Sequence, residues 1–377
     1  MEVATFHYAR GAWSRSFPAL DSAQTLVMAF AAPAYHDRPG LLAELAAAYP
    51  ASVVVGCSTS GEIDHTEIRD DSITVGAIRF AGTRVKRAVA RLASVADSFD
   101  SGVAIANELV AEDLRAVLVL SEGLHVNGSE LVRGINARLD EEVVVTGGLA
   151  GDGDRFGRTW VLADGRPEAN GVVAVGLYGE RVRIGHGSKG GWDTFGPERV
   201  VTRSLGNVLY TLDDRPALAL YKEYLGERAA GLPGSALLFP LALRQRNDEP
   251  NSVVRTVLSV DEATQSMTFA GDIPVGHYAK LMRANFDRLI LGAQAAGSAA
   301  ARHDLGTPAL SIAISCVGRR LVLGERSEEE TEATLEALPA LTQQIGFYSY
   351  GEISPHVTGR CDLHNQTMTL TVLSESP

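Results

Sequence analysis

Gly56-Cys57-Ser58-Thr59-Ser60-Gly61-Glu62-Ile63 returns near the other end of the chain as Gly346-Phe347-Tyr348-Ser349-Tyr350-Gly351-Glu352-Ile353. Each string reads glycine, four residues, then Gly-Glu-Ile, and each follows a short apolar run (52–55 and 344–345) that comes after a helical stretch. Such a repeat fixes the architecture before any local reading, because a duplicated supersecondary unit has to bury its apolar face against neighbours. Two related halves also commonly enclose one ligand site.

Outward from the first string, residues 25–32 are continuously apolar and read as a buried strand, 40–49 carry Ala and Leu at helical spacing, and 52–55 form a second strand. A comparable βαβ unit follows: strand 116–120, helix 129–139, strand 143–146, then Gly147-Gly148-Leu149-Ala150-Gly151-Asp152-Gly153. The third is strand 309–316, helix 327–338 with Ser327 as its cap and Glu328, Glu329 and Glu330 in its first turn, and strand 344–346 before the second Gly-Glu-Ile. Stretches 72–80, 83–92, 171–178 and 182–187 read as further strands, antiparallel partners that extend the sheets. A long helix is expected over 279–301, with Leu281, Phe286, Leu289, Ile290 and Ala293 on one stripe. The fold class is therefore α/β: mixed sheets built from repeated βαβ units in two pseudo-related halves. Asp213-Asp214-Arg215-Pro216 gives turn chemistry before a helix at 217–225, so the domains are placed at 1–214 and 215–377.

At 377 residues with 45% hydrophobic and 21% charged residues, the chain has material for two real cores. The net charge of -12 and the lack of a Lys/Arg cluster argue against a nucleic-acid partner. Cys57, Cys316 and Cys361 are widely spaced without a CxxC pair, which describes neither a disulfide framework nor a zinc site and fits a reducing cytoplasm. The apolar stretches 25–34 and 41–56 are broken by Pro33 and Pro50 or carry Glu44, so no membrane span or leader is expected.

Four strings together resemble the FIST family, a bacterial signal-transduction family with N- and C-terminal parts. They are the first Gly-Glu-Ile string, the 147–153 loop with Phe156, Gly206-Asn207-Val208-Leu209-Tyr210 with Pro216-Ala217-Leu218-Ala219-Leu220-Tyr221, and Phe347 to Pro355. The order is the expected one over nearly the whole chain. The resemblance implies an intracellular sensor of a small ligand, amino acids being a common suggestion, acting beside a kinase, cyclase or chemoreceptor-type output. It also implies an alternative, since some members bind haem, respond to nitric oxide and adjust a partner histidine kinase.

Ligands of open α/β sheets sit beyond the carboxyl ends of the strands, where the three glycine loops fall. Gly56, Gly61, Gly147, Gly148, Gly151 and Gly351 let backbone approach closely and aim N–H groups at an anion, while Glu62, Asp152 and Glu352 offer carboxylates to a cation. Ser58, Tyr348 and Tyr350 complete the candidate set. That combination suits a zwitterion. Read singly, the glycines describe turn geometry and the glutamates a surface or helix-cap role. Cys57 reads as nucleophile, redox sensor or metal ligand, or as a small buried thiol. His186, between Gly185 and Gly187 and near Trp192, is the first choice for an axial ligand of non-covalent haem b, ahead of His36, His125 and His277, against the alternative of a histidine satisfied by backbone. The 185–191 string lacks the ending of a phosphate loop, and 152–157 lacks the ligands of a calcium loop, so neither nucleotide nor metal is expected.

The readings that result are a non-catalytic cytoplasmic sensor closing on a small polar metabolite with no cofactor and signalling to a separate protein such as a histidine kinase, a haem-based sensor, and an enzyme. No nucleophile–base–orienter set supports the third.

Overall fold

Each parallel strand pair read from the sequence is present, and each is the centre of a larger repeated unit. The computed structural model describes residues 1–163, 165–245, 252–301, 308–355 and 360–376. In the first unit β1 (Glu2–Ala9) and its short partner β2 (Ala12–Trp13) precede β3 (Thr25–Ala31), α1 (Gly40–Ala48) and β4 (Val53–Ser58). A hairpin, β5 (Glu62–Asp64) and β6 (Glu67–Arg69), then leads to β7 (Ile73–Arg79). The second unit repeats that order: β8 (Arg84–Arg91), α2 (Ser98–Leu109), β9 (Leu114–Ser121), α3 (Gly128–Asn136), β10 (Val144–Leu149), the hairpin β11 (Val161–Ala163) and β12 (Arg166–Glu168), and β13 (Gly171–Tyr178).

The third unit opens with β14 (Val182–Lys189) and is interrupted by a separate eight-stranded sheet. That insertion holds β15 (Asp193–Leu205), β16 (Val208–Leu212), β17 (Arg215–Pro216), α4 (Ala217–Leu225), β18 (Leu241–Arg244), β19 (Ser252–Arg255), β20 (Val257–Asp261), β21 (Ser266–Phe269) and β22 (Tyr278–Arg283). The unit resumes with α5 (Phe286–Ala300), β23 (Ala309–Cys316), α6 (Val317–Leu323), α7 (Ser327–Glu336), β24 (Thr342–Ser349), the hairpin β25 (Gly351–Pro355) and β26 (Cys361–His364), and β27 (Met368–Glu375). The mixed α/β class holds, and its two related halves resolve into three related units, the third split by the insertion.

Pairing follows one rule in all three. The second strand of the βαβ pair lies parallel to the first, β4 on β3, β10 on β9 and β24 on β23. The returning strand β7, β13 or β27 lies antiparallel on the first strand's other side, and β1, β8 or β14 lies beyond it. The hairpins do not stay at home. β5 of unit one pairs with β24 of unit three, β25 of unit three with β10 of unit two, and β11 of unit two with β4 of unit one. Each unit thus lends a hairpin to the next in a closed ring.

Glycine is required at one equivalent place in each parallel pair. A Cβ on Gly56, Gly147 or Gly346 would lie 1.9, 1.8 and 1.8 Å from the carbonyl oxygens of Ala29, Val119 and Ala313, which are their register partners. These backbones touch, so the glycines serve strand packing rather than ligand approach. Gly346→Ala is expected to cost about 1–3 kcal/mol through overpacking, read as a lower urea midpoint. A loss under about 0.5 kcal/mol, the level of an ordinary surface change, would mean that the pair can separate freely.

The inner faces of the three sheets meet in one core that includes Met28, Phe30, Val55, Leu118, Val173, Ile312 and Phe347. Phe30 and Phe347 hold it together across units, with ring centroids 4.7 Å apart. The outer faces are covered by α1, by α2 with α3, and by α5 with α7. Two local expectations are corrected. The helix over 279–301 begins only at Phe286, where the Asn285 side chain accepts from the Arg288 N–H; Leu281 lies in β22, whose alternating burial is that of a strand. Ser327 does not cap α7, because its hydroxyl donates to the Gly324 carbonyl at 2.6 Å, while the three glutamates do occupy the first turn.

Candidate functional site

The loops that leave β3, β4 and β10 at their carboxyl ends line one cleft of about 660 Å³ together with the β6–β7 turn and α6. β3 and β4 lie parallel in one sheet, so their loops leave on the same side, and the loop after β10, in the second sheet, reaches that side because β11 beyond it pairs with β4. The walls carry Asp37, Glu62, Asp70, Asp71 and Asp152 against Arg155, Arg158 and Arg320. Both signs of charge are therefore within a small-molecule length of each other.

Arg320 is the central cation. Its Nη1 and Nη2 donate to the two carboxylate oxygens of Asp70 at 2.8 and 2.7 Å, and Nη1 also donates to the Ser60 carbonyl at 2.7 Å. The guanidinium lies over the Tyr348 ring, 5.5 Å from its centroid. This bidentate pair holds the Asp70 carboxyl below its ordinary range. Gly61 makes room for it, since a Cβ there would lie 2.3 Å from Arg320 Nη1 at a φ of +127°. Arg155 makes no ion pair among the described residues and acts on Asp70 only through its charge. Arg158 donates to Asp37 at 2.6 Å, and His36 flanks that pair with its Nδ1 3.1 Å from the same carboxylate.

Of the sequence candidates, Gly61, Glu62 and Asp152 line the cleft; Gly56, Cys57, Ser58, Gly147, Gly148, Gly351 and Glu352 do not. Glu62 and Glu352 instead perform one structural task twice. One oxygen of Glu62 accepts from the Thr59 hydroxyl, and the other accepts from the Ser72 N–H at 3.1 Å and the Ser72 hydroxyl at 2.6 Å. Glu352 accepts from the Ser349 hydroxyl at 2.6 Å, and from the Thr367 N–H at 3.1 Å and hydroxyl at 2.9 Å. Each carboxyl fastens the start of a lent hairpin to the residue just before the returning strand. Burial pushes Glu62 up to about 7 and Glu352 up to about 8, against the pull of these donors.

Asp152 is likewise engaged: Oδ2 accepts from the N–H groups of Gly157 and Arg158, each at 2.8 Å, and Oδ1 accepts from the Tyr350 hydroxyl. The Tyr348 hydroxyl donates to Glu330 at 2.9 Å beneath the cleft. Loop N–H groups are also taken, Ser60 by the Tyr348 carbonyl, Gly61 by Thr59, Gly151 by the Ser58 carbonyl and Gly153 by Ser60. The charge that can hold an anion therefore comes from Arg155, Arg158 and Arg320. Arg319-Arg320 closely follows an apolar strand, the position where α/β sites gather, and that was the available signal for Arg320.

Cys57 is fully buried in the central core, and desolvation drives its thiol well above the ordinary value, the state of a packing residue rather than a nucleophile. His186 sits in β14 opposite Thr371, and the space opened by Gly187 is filled by α5, whose Ala296 carbonyl would lie 2.1 Å from an added Cβ. Trp192 is buried and donates to the Gln366 carbonyl at 2.9 Å. His125 is exposed, and His277 lines a different cleft beside Arg255; none of the four histidines lines the cleft described above.

No helix among the described residues is long and apolar enough to cross a membrane. No curated protein matches the chain. Two family models do: the FIST N domain over residues 25–215 and the FIST C domain over residues 217–355. Between them they cover most of the sequence, so the chain belongs to the FIST family of sensory, signal-transduction domains.

Proposed function

We propose that this protein is a non-catalytic sensor of a small zwitterionic metabolite, an amino acid or a close relative, which binds in the Arg320 cleft and whose arrival is passed to a separate signalling protein such as a histidine kinase. The observation that carries the reading is the juxtaposition of Arg320, on α6 after the parallel strand β23 of unit three, and Asp70, in the β6–β7 turn of unit one, with Arg155 and Arg158 at hand. A ligand carboxylate takes the Arg320 guanidinium in place of Asp70, and the freed Asp70, with Asp71, receives the ligand ammonium. Each exchange swaps one charged pair for another, so the cleft distinguishes a molecule with both charges from one with a single charge.

The route outward starts in the same helix. Arg320 is followed back along α6 by Arg319, whose side chain is tied to the Leu289 carbonyl of α5 and to Glu330 of α7. A shift of α6 on ligand binding therefore acts on two helices at the surface of unit three.

Calorimetric titration with the twenty amino acids tests the proposal, with Arg320→Ala as the control. The variant is expected to lose about 10–100-fold in affinity for the best ligand, the worth of a charge-assisted hydrogen bond of about 1.5–3 kcal/mol. Full affinity in Arg320→Ala, or no saturable binding by any zwitterion, overturns it.

A further inference from the structure

Behind the cleft lies a second chamber of about 370 Å³, more closed than the cleft, between unit two and the inserted sheet. Its floor is made by Leu124, Val126 and Leu149 and its roof by Leu258, Phe269 and Ala270. Among the described residues, no Asp, Glu, Lys, Arg or His lines it. The polar groups that face it are largely spent elsewhere. Asn127 accepts from the N–H groups of Ser129 and Glu130 and donates to Asp272 at 2.9 Å, and Asn207 donates to the Phe269 carbonyl at 2.8 Å.

One wall separates this chamber from the cleft. The rings of Phe156 and Tyr350 stack at 4.8 Å with an interplanar angle of 15° and both line the chamber. Arg155 and Gly157, on either side of Phe156, line the cleft, and the Tyr350 hydroxyl is bonded to Asp152 there. Phe156 holds a φ of +49°, a left-handed conformation that a bulky aromatic residue rarely adopts and that gathers at ligand clamps and switch segments.

We infer that the chamber is a second binding site, for a compact uncharged molecule with an aromatic ring or a branched aliphatic group. The uncharged walls exclude ions, because a charged group there would lose its hydration without gaining a partner. The aliphatic and aromatic side chains among its walls, with Asn127, Asn207, Ser259 and Thr268 between them, suit a ring-sized molecule that is apolar over most of its surface. The occupant would touch unit two and the inserted sheet together and so bridge parts of the chain that lie far apart in sequence. The site does not rest on the zwitterion reading of the cleft, from which its chemistry differs.

Indole titrated into the full chain, followed by calorimetry and by the thermal midpoint, tests the assignment. One saturable site and a raised midpoint are expected. Ala270→Phe and Leu258→Phe, each of which puts a ring on the chamber's roof, are expected to weaken indole at least about tenfold while retaining a cooperative melt. Indole-3-acetate and tryptamine, which carry a charge, are expected to bind at least about tenfold more weakly than indole. Failure of indole to saturate, undiminished binding in whichever roof variants fold, or equal affinity for the charged derivatives overturns the proposal.

Discussion

Arg319→Ala is expected to destabilise the fold by about 3–5 kcal/mol, because it strands a carboxylate that has no access to water. Arg319 and Glu330 both have fully buried side chains. The guanidinium donates to Glu330 through Nε at 2.9 Å and Nη2 at 2.7 Å, and to the carbonyls of Gly190 and Leu289 at 2.7 and 2.8 Å. Glu330 also accepts from the hydroxyls of Ser315 and Tyr348, each at 2.9 Å. The pair thus ties α5, α6, α7, β23 and β24 at one point. Replacing both partners, Arg319→Met with Glu330→Leu, removes the stranded charge but takes these donors and acceptors away from the Gly190 carbonyl and from the Ser315 and Tyr348 hydroxyls, so only part of the loss should return. Urea midpoints for the two singles and the double close the cycle. A loss below about 1 kcal/mol in the single Arg319 variant, the range of an exposed pair, would show that the pair is not the anchor its burial indicates.

Glu352 is expected to make the protein less stable as pH rises, the opposite of what a salt-bridged carboxylate does. Its folded pKa of about 8 lies above the ordinary 4.5, so the fold favours the protonated form. The associated stability is fully present below pH 4.5, declines as the unfolded chain ionises while the folded one does not, and is gone above about pH 8. At about 1.36 kcal/mol per unit the whole change is on the order of 5 kcal/mol. Glu62, raised to about 7, adds a smaller decline that ends sooner. Glu352→Gln keeps the shape and an acceptor for Thr367 and leaves the amide facing a Ser349 hydroxyl that can accept. The difference in stability between the Glu352→Gln variant and its parent should therefore swing by about 4 kcal/mol in favour of the variant between about pH 4.5 and 8.5. Parallel urea-midpoint profiles across that range would dismiss the idea.

What the sequence revealed, and what it hid, follows from the range of the interactions involved. The parallel pairs were legible because strands buried on both faces need unbroken apolar runs such as 25–31 and 309–316. The recurrence of Gly-Glu-Ile was equally plain, yet its meaning was not. Its first glycine answers to a carbonyl across the sheet, and its glutamate to a serine or threonine that precedes the returning strand; neither partner announces itself by spacing. All three βαβ pairs were legible, yet they grouped into two halves, because only two of them carry Gly-Glu-Ile and the inserted sheet divides the third unit. The stripe from Leu281 to Ala293 read as one helix because an alternating strand followed by a capped helix can mimic helical spacing over so few residues. Gly61, Glu62 and Asp152 were read from their loops and line the cleft, whereas Arg320 and Asp70 meet across a long separation in sequence, and only the fold brings them face to face.

The ring of lent hairpins has a consequence for how the molecule is made. The first sheet needs nothing beyond residue 168, so it can close early in synthesis, but the edge of β10 waits for β25. A nascent chain therefore shows bare backbone donors and acceptors along β10 until residues 351–355 have left the ribosome, while the β5 edge waits for residues 342–349 of β24. Severing the chain where the two family segments meet would make that waiting permanent: the amino-terminal fragment would keep one finished sheet, one ragged one and an orphaned pair of strands, a recipe for clumping rather than for an autonomous domain.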